Sequence, residues 1–264
     1  MRIAAVGDLH CRADTRRNVA VALRGVDQEA DVLLLAGDLT DHGTREEASW
    51  LAEELSQVKM EKCAVLGNHD YESGQSEEVK SILGGSGVHV LDGDPWALND
   101  LGVAGVKGFA GGFEVAQLQR FGEEAMKAFV DASIAEELKL EKALFQLRTR
   151  HRIALLHYAP CRQTLEGEPL EIFPFLGSSR LEEPINRYEV DAVLHGHAHH
   201  GSPEGRTSTQ VPVYNVSMPL LKRHFPDRPA FRILELARDE APSPDGHAPH
   251  AEALTNRVGA ASSS

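Results

Sequence analysis

The sequence is poor in cysteine and has no long hydrophobic run. The three cysteines, Cys11, Cys63 and Cys161, are far apart and odd in number, so no disulfide framework or cysteine-based zinc motif is visible. This usage predicts a reducing compartment, and we expect a cytoplasmic protein. No run approaches the roughly 18 apolar residues of a membrane span. The apolar residues 3–6 are too few for a signal peptide, and Asp8 follows them closely.

Positive charge is also scarce. The 264 residues include 27 Lys and Arg against 40 Asp and Glu, a net charge of −13. This balance argues against a broad surface for long nucleic acid. It leaves room for a local anion site, because bound metal ions would reverse the sign of the field there. The hydrophobic content of 42% and charged content of 25% are typical of a globular protein of one large domain or two small ones.

Short apolar segments alternate with helical segments in the first seventy residues. Residues 2–6, 32–36 and 63–66 are apolar runs typical of buried parallel strands. Residues 15–30 have helical spacing, and residues 44–47 have the spacing of a capping box that opens a second helix. The alternation predicts an α/β sheet with right-handed crossovers.

The middle of the chain, residues 71–150, has a looser pattern. A helix is predicted at 77–83 and strands at 88–91 and 101–106. Residues 114–147 are predicted to form two helices that break near 131–133. This helical block either packs against the sheet or forms one wall of a substrate cleft.

The last part of the domain returns to shorter elements. The predicted elements are strands at 152–156, 190–194, 211–214 and 230–236, the last two closing and more antiparallel, and a helix at 181–188. Residues 239–264 are rich in Pro, Ala, Ser and His, which predicts a disordered tail. Residues 1–238 would then form the folded domain.

Carboxylates, imidazoles and one amide follow the predicted strands. The stretches are Gly7-Asp8-Leu9-His10, Gly37-Asp38-Leu39-Thr40-Asp41, Gly67-Asn68-His69-Asp70, His157 and His195-Gly196-His197. Sites in open α/β sheets lie at the carboxyl ends of the strands. Each residue alone is more typical of a turn or a partly buried polar group. Together, the seven donors Asp8, His10, Asp38, Asn68, His157, His195 and His197 exceed what one tetrahedral zinc needs. Two ions that share a bridging carboxylate would use them all. Such donors suit manganese, iron, zinc, nickel or cobalt.

This ordered set of motifs, from residue 3 to about 217, resembles the calcineurin-like metallophosphoesterase superfamily. The resemblance implies a four-layer α/β/β/α sandwich with a dinuclear metal site at the strand ends. It also implies the ligands: Asp8, His10, Asp38 and His197 for the first ion, with Asp38 bridging, and Asn68, His157 and His195 for the second. A metal-bound hydroxide would attack phosphorus, while His69, oriented by Asp41, would act as the general acid.

The substrate is less defined than the site. The protein Ser/Thr phosphatase branch has Arg and Glu where this chain has His42 and Asp70, which disfavours that branch. Residues 64–71 and 197–201 are similar to small bacterial phosphohydrolases and phosphodiesterases, so we expect a small phosphate ester, a diester in preference to a monoester. A nuclease and a non-catalytic scaffold are the alternatives, and the oligomeric state is open. We expect three further histidines to be exposed in loops: His199, His200 and His224.

Overall fold

The computed structural model describes residues 1–236, so the predicted tail at 239–264 lies outside the described residues. The strands are β1 (Arg2–Val6), β2 (Val32–Ala36), β3 (Glu61–Val65), β4 (Val88–Val90), β5 (Pro95–Leu98), β6 (Leu101–Val106), β7 (His151–Leu156), β8 (Ala192–His195), β9 (Glu204–Arg206), β10 (Pro212–Asn215) and β11 (Arg232–Glu235). The helices are α1 (Arg16–Ala22), α2 (Val26–Glu29), α3 (Arg45–Leu55), α4 (Ser76–Gly85), α5 (Glu124–Gln146), α6 (Phe173–Leu176), α7 (Glu182–Arg187) and α8 (Met218–His224). In this part of the chain, no helix combines the length and the apolar character needed to cross a membrane.

The strands form two sheets. One has five strands in the order β11-β1-β2-β3-β4, and the other has six in the order β5-β6-β7-β8-β10-β9. In both sheets the central strands are parallel, and antiparallel neighbours lie at the edges. The carboxyl ends of parallel strands lie at one edge of each sheet. The polar stretches of the sequence come directly after these strands, so they lie at the same edge.

Side-chain alternation along the strands builds three apolar cores. In β1, Ile3 and Ala5 contribute to the core between the two sheets, whereas Ala4 and Val6 pack against the helices of the first sheet. In β7, Ile153 likewise faces the other sheet. The helices α5 and α7 cover the outer face of the second sheet. Helix, sheet, sheet and helix therefore form the predicted four-layer α/β/β/α sandwich, which the structure confirms.

Two predicted helical segments differ from the structure. Residues 15–30 form two helices, α1 and α2, because Gly25 adopts a left-handed conformation with φ of 81° between them. Residues 124–146, in contrast, form the single 23-residue helix α5. The predicted break near 131–133 was wrong, because this stretch contains no glycine or proline, and Ser133 is tolerated within the helix and buried. Residues 114–123 precede it without joining it.

Several short elements at the sheet edges were not predicted. Strands β5 and β9 and helix α8 have too little hydrophobic periodicity to stand out in the sequence. Strand β10 was expected to be antiparallel, but it pairs parallel with β8 and antiparallel only with β9. The predicted capping box is confirmed at the start of α3, where Thr44 and Glu47 exchange both hydrogen bonds.

Candidate metal centre

The carboxyl ends of five strands from both sheets converge at one place. Within the first sheet, the Asp8 amide donates to the Gly37 carbonyl at 2.9 Å. Within the second, the Gly196 amide donates to the His157 carbonyl at 3.1 Å. The two sheets are joined where the His197 amide donates to the two oxygens of the Asp8 carboxylate, at 3.1 and 3.0 Å. Polar side chains that are far apart in the sequence are thus gathered between the two strand edges.

Three groups of side chains are close enough to share a cation. In each group, the potential ligand atoms lie within 4.8 Å of one another. The groups are Asp8 with His10 and His199, His10 with Asp38 and His69, and Asp38 with His157 and His197. Because His10 and Asp38 each belong to two groups, the three form one continuous cluster, with the Asp38 carboxylate at its middle. Asn68 joins it, since its Oδ1 lies 3.0 Å from His157 Nε2.

Four residues of this cluster have strained backbones. Asp8, His10, Asp38 and His197 have positive φ angles of 55°, 42°, 47° and 69°. A non-glycine residue in this region costs of order 1–3 kcal/mol, and such residues collect at functional sites. The strain follows from the strand-end turns, which point each of these side chains back toward the others.

Two glycines allow the strand ends to approach this closely. A Cβ atom at Gly67 would overlap the Asp38 carboxylate, and one at Gly196 would overlap the Asp8 carboxylate. The glycine before Asn68 therefore makes room for a carboxylate from the adjacent strand, and the glycine before His197 for one from the other sheet.

The fourth residue of the Gly-Asn-His-Asp stretch has a structural position. Asp70 is fully buried, and its carboxylate accepts hydrogen bonds from the amides of Gly67, Leu39 and Thr40 and from the Thr40 hydroxyl, at 2.5–3.1 Å. Burial, together with the nearby charge of Asp38, raises the pKa of Asp70 to about 6. Asp70 therefore ties the turn after β3 to the turn after β2.

His157 and Asp38 form a buried pair of opposite charge. The His157 Nδ1–H donates to the Ala36 carbonyl at 2.9 Å, which leaves Nε2 facing Asn68 Oδ1 at 3.0 Å and Asp38 Oδ1 at 3.3 Å. Burial opposes a charge on His157, but the Asp38 carboxylate outweighs it and raises the His157 pKa to about 9. Burial likewise opposes the charge of Asp38, yet His157 holds the Asp38 pKa well below its usual range.

His69 is held by a backbone group rather than by the predicted carboxylate. Its Nδ1 lies 2.6 Å from the Asp41 carbonyl oxygen, which can only accept, so Nδ1 carries the hydrogen. Its Nε2 lies 4.0 Å from Asp38 Oδ2, and its ring packs edge-on against His10. The carboxylate of Asp41 instead contacts His10 Nδ1 at 3.2 Å and accepts from Arg12 at 2.9 Å. Asp41 thus contacts His69 through its backbone carbonyl, and His10 and His42 through its carboxylate.

Two histidines, one at the end of β8 and one in the turn after it, lie elsewhere than predicted. His195, predicted as a ligand, lies outside the three groups, since its Nδ1 donates to the Gly196 carbonyl and its Nε2 bonds to Thr164 Oγ1, both at 2.8 Å. His199, expected to be an exposed loop residue, is partly buried, and its Nε2 lies 2.9 Å from Asp8 Oδ1. The geometry therefore favours His199 over His195 as a ligand. The sequence signal for His199 was its two-residue spacing from His197.

The structure also locates the other histidines that the sequence analysis named. His197 belongs to the third group, with Asp38 and His157, whereas the resemblance implied that it shares an ion with Asp8 and His10. Burial lowers the pKa of His197 to about 3. His200 and His224 are exposed, as predicted, but His224 is the last residue of α8 and not a loop residue.

The model of the calcineurin-like phosphoesterase family matches residues 1–201, which contain every strand end of the cluster. The chain belongs to the calcineurin-like phosphoesterases. Membership of this family makes the chain a metal-dependent phosphoesterase. No curated protein matches the chain.

Solved structures share the fold of this phosphoesterase. The phosphopantetheinyl hydrolase of Mycobacterium tuberculosis has a TM-score of 0.64 at 17% identity, with 91% of this chain and 98% of the other covered. The protein TT1561 of Thermus thermophilus has a TM-score of 0.54 at 17% identity, covering 83% of this chain and 90% of the other. The Plasmodium inner membrane complex anchor GAP50 has a TM-score of 0.52 at 12% identity, covering 83% of this chain and 72% of the other. At these identities the likeness concerns the fold alone.

The residues of the cluster fit the metal ions that the phosphoesterase family uses. Both ring nitrogens of His10 are buried, and neither has a hydrogen-bond partner among residues 1–236, although Nδ1 is 3.2 Å from Asp41. At His157, a neutral ring would direct the Nε2 lone pair at the oxygens of Asn68 and Asp38, which is repulsive unless a cation intervenes. A proton does this in the absence of metal, and a metal ion would replace it.

Proposed function

We propose that this phosphoesterase hydrolyses a small phosphate ester with the help of two transition-metal ions. The ions are of the manganese, iron, zinc, nickel or cobalt type, as the mixed oxygen and imidazole donors favour. The proposed ligands are Asp8, His10, His199, Asp38, Asn68, His157 and His197. Asp38 is the proposed bridge. The observation that carries this proposal is the position of the Asp38 carboxylate, which is shared by two of the three groups of potential ligands.

Each element of the site has a defined part in this proposal. When bound, the two ions supply positive charge for the phosphoryl oxygens and activate water as the nucleophile. His69 is the proposed general acid. The Asp41 carbonyl fixes the ring and the hydrogen on Nδ1, so that a second proton on Nε2 can pass to the departing oxygen. The ring is 38% exposed, which leaves it accessible to a substrate.

A small diester is the proposed substrate in preference to a monoester, and residues 64–71 and 197–201 are similar to small bacterial phosphohydrolases and phosphodiesterases. A nuclease is the second candidate, and the net charge of −13 argues against it. We further propose a reducing, cytoplasmic setting, which the three buried free cysteines support.

A panel of substrates tests this function. The purified chain, reconstituted with each metal in turn, is assayed on bis-p-nitrophenyl phosphate, p-nitrophenyl phosphate, cyclic nucleotides and single-stranded DNA. We expect the fastest turnover with the small diesters. Preferred cleavage of DNA would favour the nuclease, and no turnover of any substrate with any metal would leave only the non-catalytic scaffold.

A further inference from the structure

A row of aromatic rings leads from the metal centre to the surface. Adjacent ring centroids are 5.8 Å apart between Tyr158 and Phe109, 5.0 Å between Phe109 and Phe129, and 6.4 Å between Phe129 and Phe175. We call these four residues the aromatic row. At its inner end, the Tyr158 ring lies 4.4 Å from the His197 ring. Exposure increases outward, from 7% at Tyr158 to 59% at Phe175.

The four rings come from four separate segments. Tyr158 follows β7, Phe109 follows β6, Phe129 is in α5 and Phe175 is in α6. Tyr158 belongs to the core under α5, and Phe109 and Phe129 pack against that core, whereas Phe175 lies outside it. The row therefore extends from the core to exposed apolar surface at Phe175, and exposed apolar patches often mark ligand-binding grooves.

The backbone of the outer residue, Phe175, contacts the candidate metal centre. The carbonyl of Phe175 lies 3.3 Å from Nε2 of His197, a proposed metal ligand. The loop around it is bound to the segment after β6, where the Gly111 amide donates to the Pro174 carbonyl at 2.8 Å. The same loop adds Leu170 and Ile172, which are 65% and 38% exposed. The position of the Phe175 ring is thus coupled to the site where the phosphate would lie.

The charge along the row is complementary to that of a phosphate ester with an apolar organic group. The ammonium group of Lys107 lies 5.2 Å from the Tyr158 ring and 4.8 Å from the Phe109 ring. It donates to the Gly108 carbonyl, and it forms no ion pair with a carboxylate among the described residues. The inner end of the row is therefore cationic, and the outer end is apolar.

We propose that the aromatic row is a substrate subsite that selects phosphate esters with a large apolar or aromatic organic group. This inference rests on the proposed function and specifies its substrate class. The phosphate would lie at the metal centre near Lys107, and the organic group would lie along Phe109, Phe129 and Phe175. The row begins at the metal centre, which favours a substrate over a protein partner as its occupant.

Binding of two phosphonates tests the subsite without requiring turnover. Methylphosphonate and hexylphosphonate are titrated by calorimetry into the manganese-loaded chain. Each fully buried methylene strengthens binding roughly fourfold. We therefore expect hexylphosphonate to bind at least tenfold more tightly than methylphosphonate. Phe175→Ala should lower this ratio by roughly fivefold or more, whereas Phe175→Leu, which keeps an apolar side chain, should retain most of it.

Phe145 provides a matched control. It is 60% exposed, close to the 59% of Phe175, but it lies in the last turn of α5 and outside the row. Phe145→Ala should leave the ratio unchanged. Equal affinities of the two phosphonates for the natural chain, or an equal ratio in Phe175→Ala, would overturn the subsite. A Phe175-dependent dimer in light scattering, with an unchanged ratio, would overturn it in favour of an interface between copies.

The two hypotheses fail in different ways. Turnover of bis-p-nitrophenyl phosphate without a preference for hexylphosphonate would reject the subsite and keep the proposed function. A preference for hexylphosphonate without turnover of any ester would reject the function and keep the subsite.

Discussion

His195 and His199 show how a strand end decides which imidazole reaches the centre. His195 is the last residue of β8, and its ring is satisfied by Gly196 and Thr164. After Gly196 the chain turns, with His197 at φ of 69°, and the turn brings His199 to Asp8. Three histidines at alternate positions look equivalent in the sequence, and only the turn separates them.

Substitution of these two histidines should therefore have different effects. We expect His199→Ala to lose about one bound ion per chain. Turnover should fall by roughly 10²-fold, which is the size of loss typical of substitutions around a metal site. His195→Asn should keep both ions and lose about 1–3 kcal/mol of unfolding free energy, because buried polar groups lose their partners. Metal analysis and denaturant unfolding of both variants measure this, and the reverse pattern would restore His195 as the ligand.

The role of His69 can be separated from metal binding. His69→Asn should keep both ions and the fold, because the ring is held by the Asp41 carbonyl and is proposed not to be a ligand. For an ester with a poor alkoxide leaving group, turnover should fall by roughly 10²–10⁴-fold. A nitrophenolate needs little protonation, so its ester should lose far less.

The leaving-group comparison has two contrary outcomes. An equal loss on alkyl and nitrophenyl esters would mean that His69 binds the phosphate instead of protonating the leaving group. A loss of bound metal would make it a ligand.

At the scale of elements, an ion-pair cluster joins two helices across a strand end. Asp92, just after β4, pairs with Lys139 of α5 at 2.8 Å and with Lys80 of α4 at 3.3 Å. Burial opposes the charge of Asp92, but the two lysines outweigh it and hold its pKa below the usual 3.8. The stabilisation is therefore complete above the unfolded pKa of Asp92, and it is lost as the pH falls through the lower folded pKa.

Asp92→Asn should consequently be destabilising only when the carboxyl is charged. We expect a loss of about 1 kcal/mol of unfolding free energy at pH 7, since the pair is partly exposed, and almost none near pH 2.5. Urea unfolding in a chelator removes any contribution from metal. Asp94→Asn is the control, because its pair with Lys142 is largely exposed, and it should change little at either pH. A loss for Asp92→Asn that is independent of pH would show that packing, not charge, is responsible.

The elements differ in how far the sequence alone predicts them. Strands such as β2 and β6 were predicted at their observed bounds, because they are apolar runs buried on both faces. Helix α5 was divided in the prediction at Asp131 and Ser133, which are weak helix formers. Neither residue breaks a helix as glycine or proline would, and α5 continues through them to pack Leu140 against the second sheet. Edge strands such as β9 have no apolar pattern of their own and form by pairing with a neighbour.

The candidate site follows the same rule. The strand-end motifs predicted which stretches would meet, since parallel strands end at one edge. They did not predict that the Asp41 carbonyl, rather than its carboxylate, holds His69, because a backbone contact leaves no trace in residue type. The aromatic row was also invisible, because Phe109, Phe129 and Phe175 are each ordinary apolar residues in their own segments.

At the scale of the whole molecule, charge makes metal binding central. The chain carries a net charge of −13, and its centre contains the carboxylates of Asp8 and Asp38. A phosphate ester approaching this centre without bound metal would meet the like charge of these carboxylates, which nearby cations such as Lys107 and Arg12 offset only in part. Two bound ions would reverse the local field and make the same place attractive to phosphate.

The number of ions needed for turnover tests this account most directly. The chain is stripped with a chelator and titrated with Mn²⁺, and bound ions per chain and the rate on bis-p-nitrophenyl phosphate are measured at each point. We predict that binding saturates at two ions and that the rate rises with the second. Full turnover with one ion or none, or two bound ions with no turnover of any ester, would contradict the account.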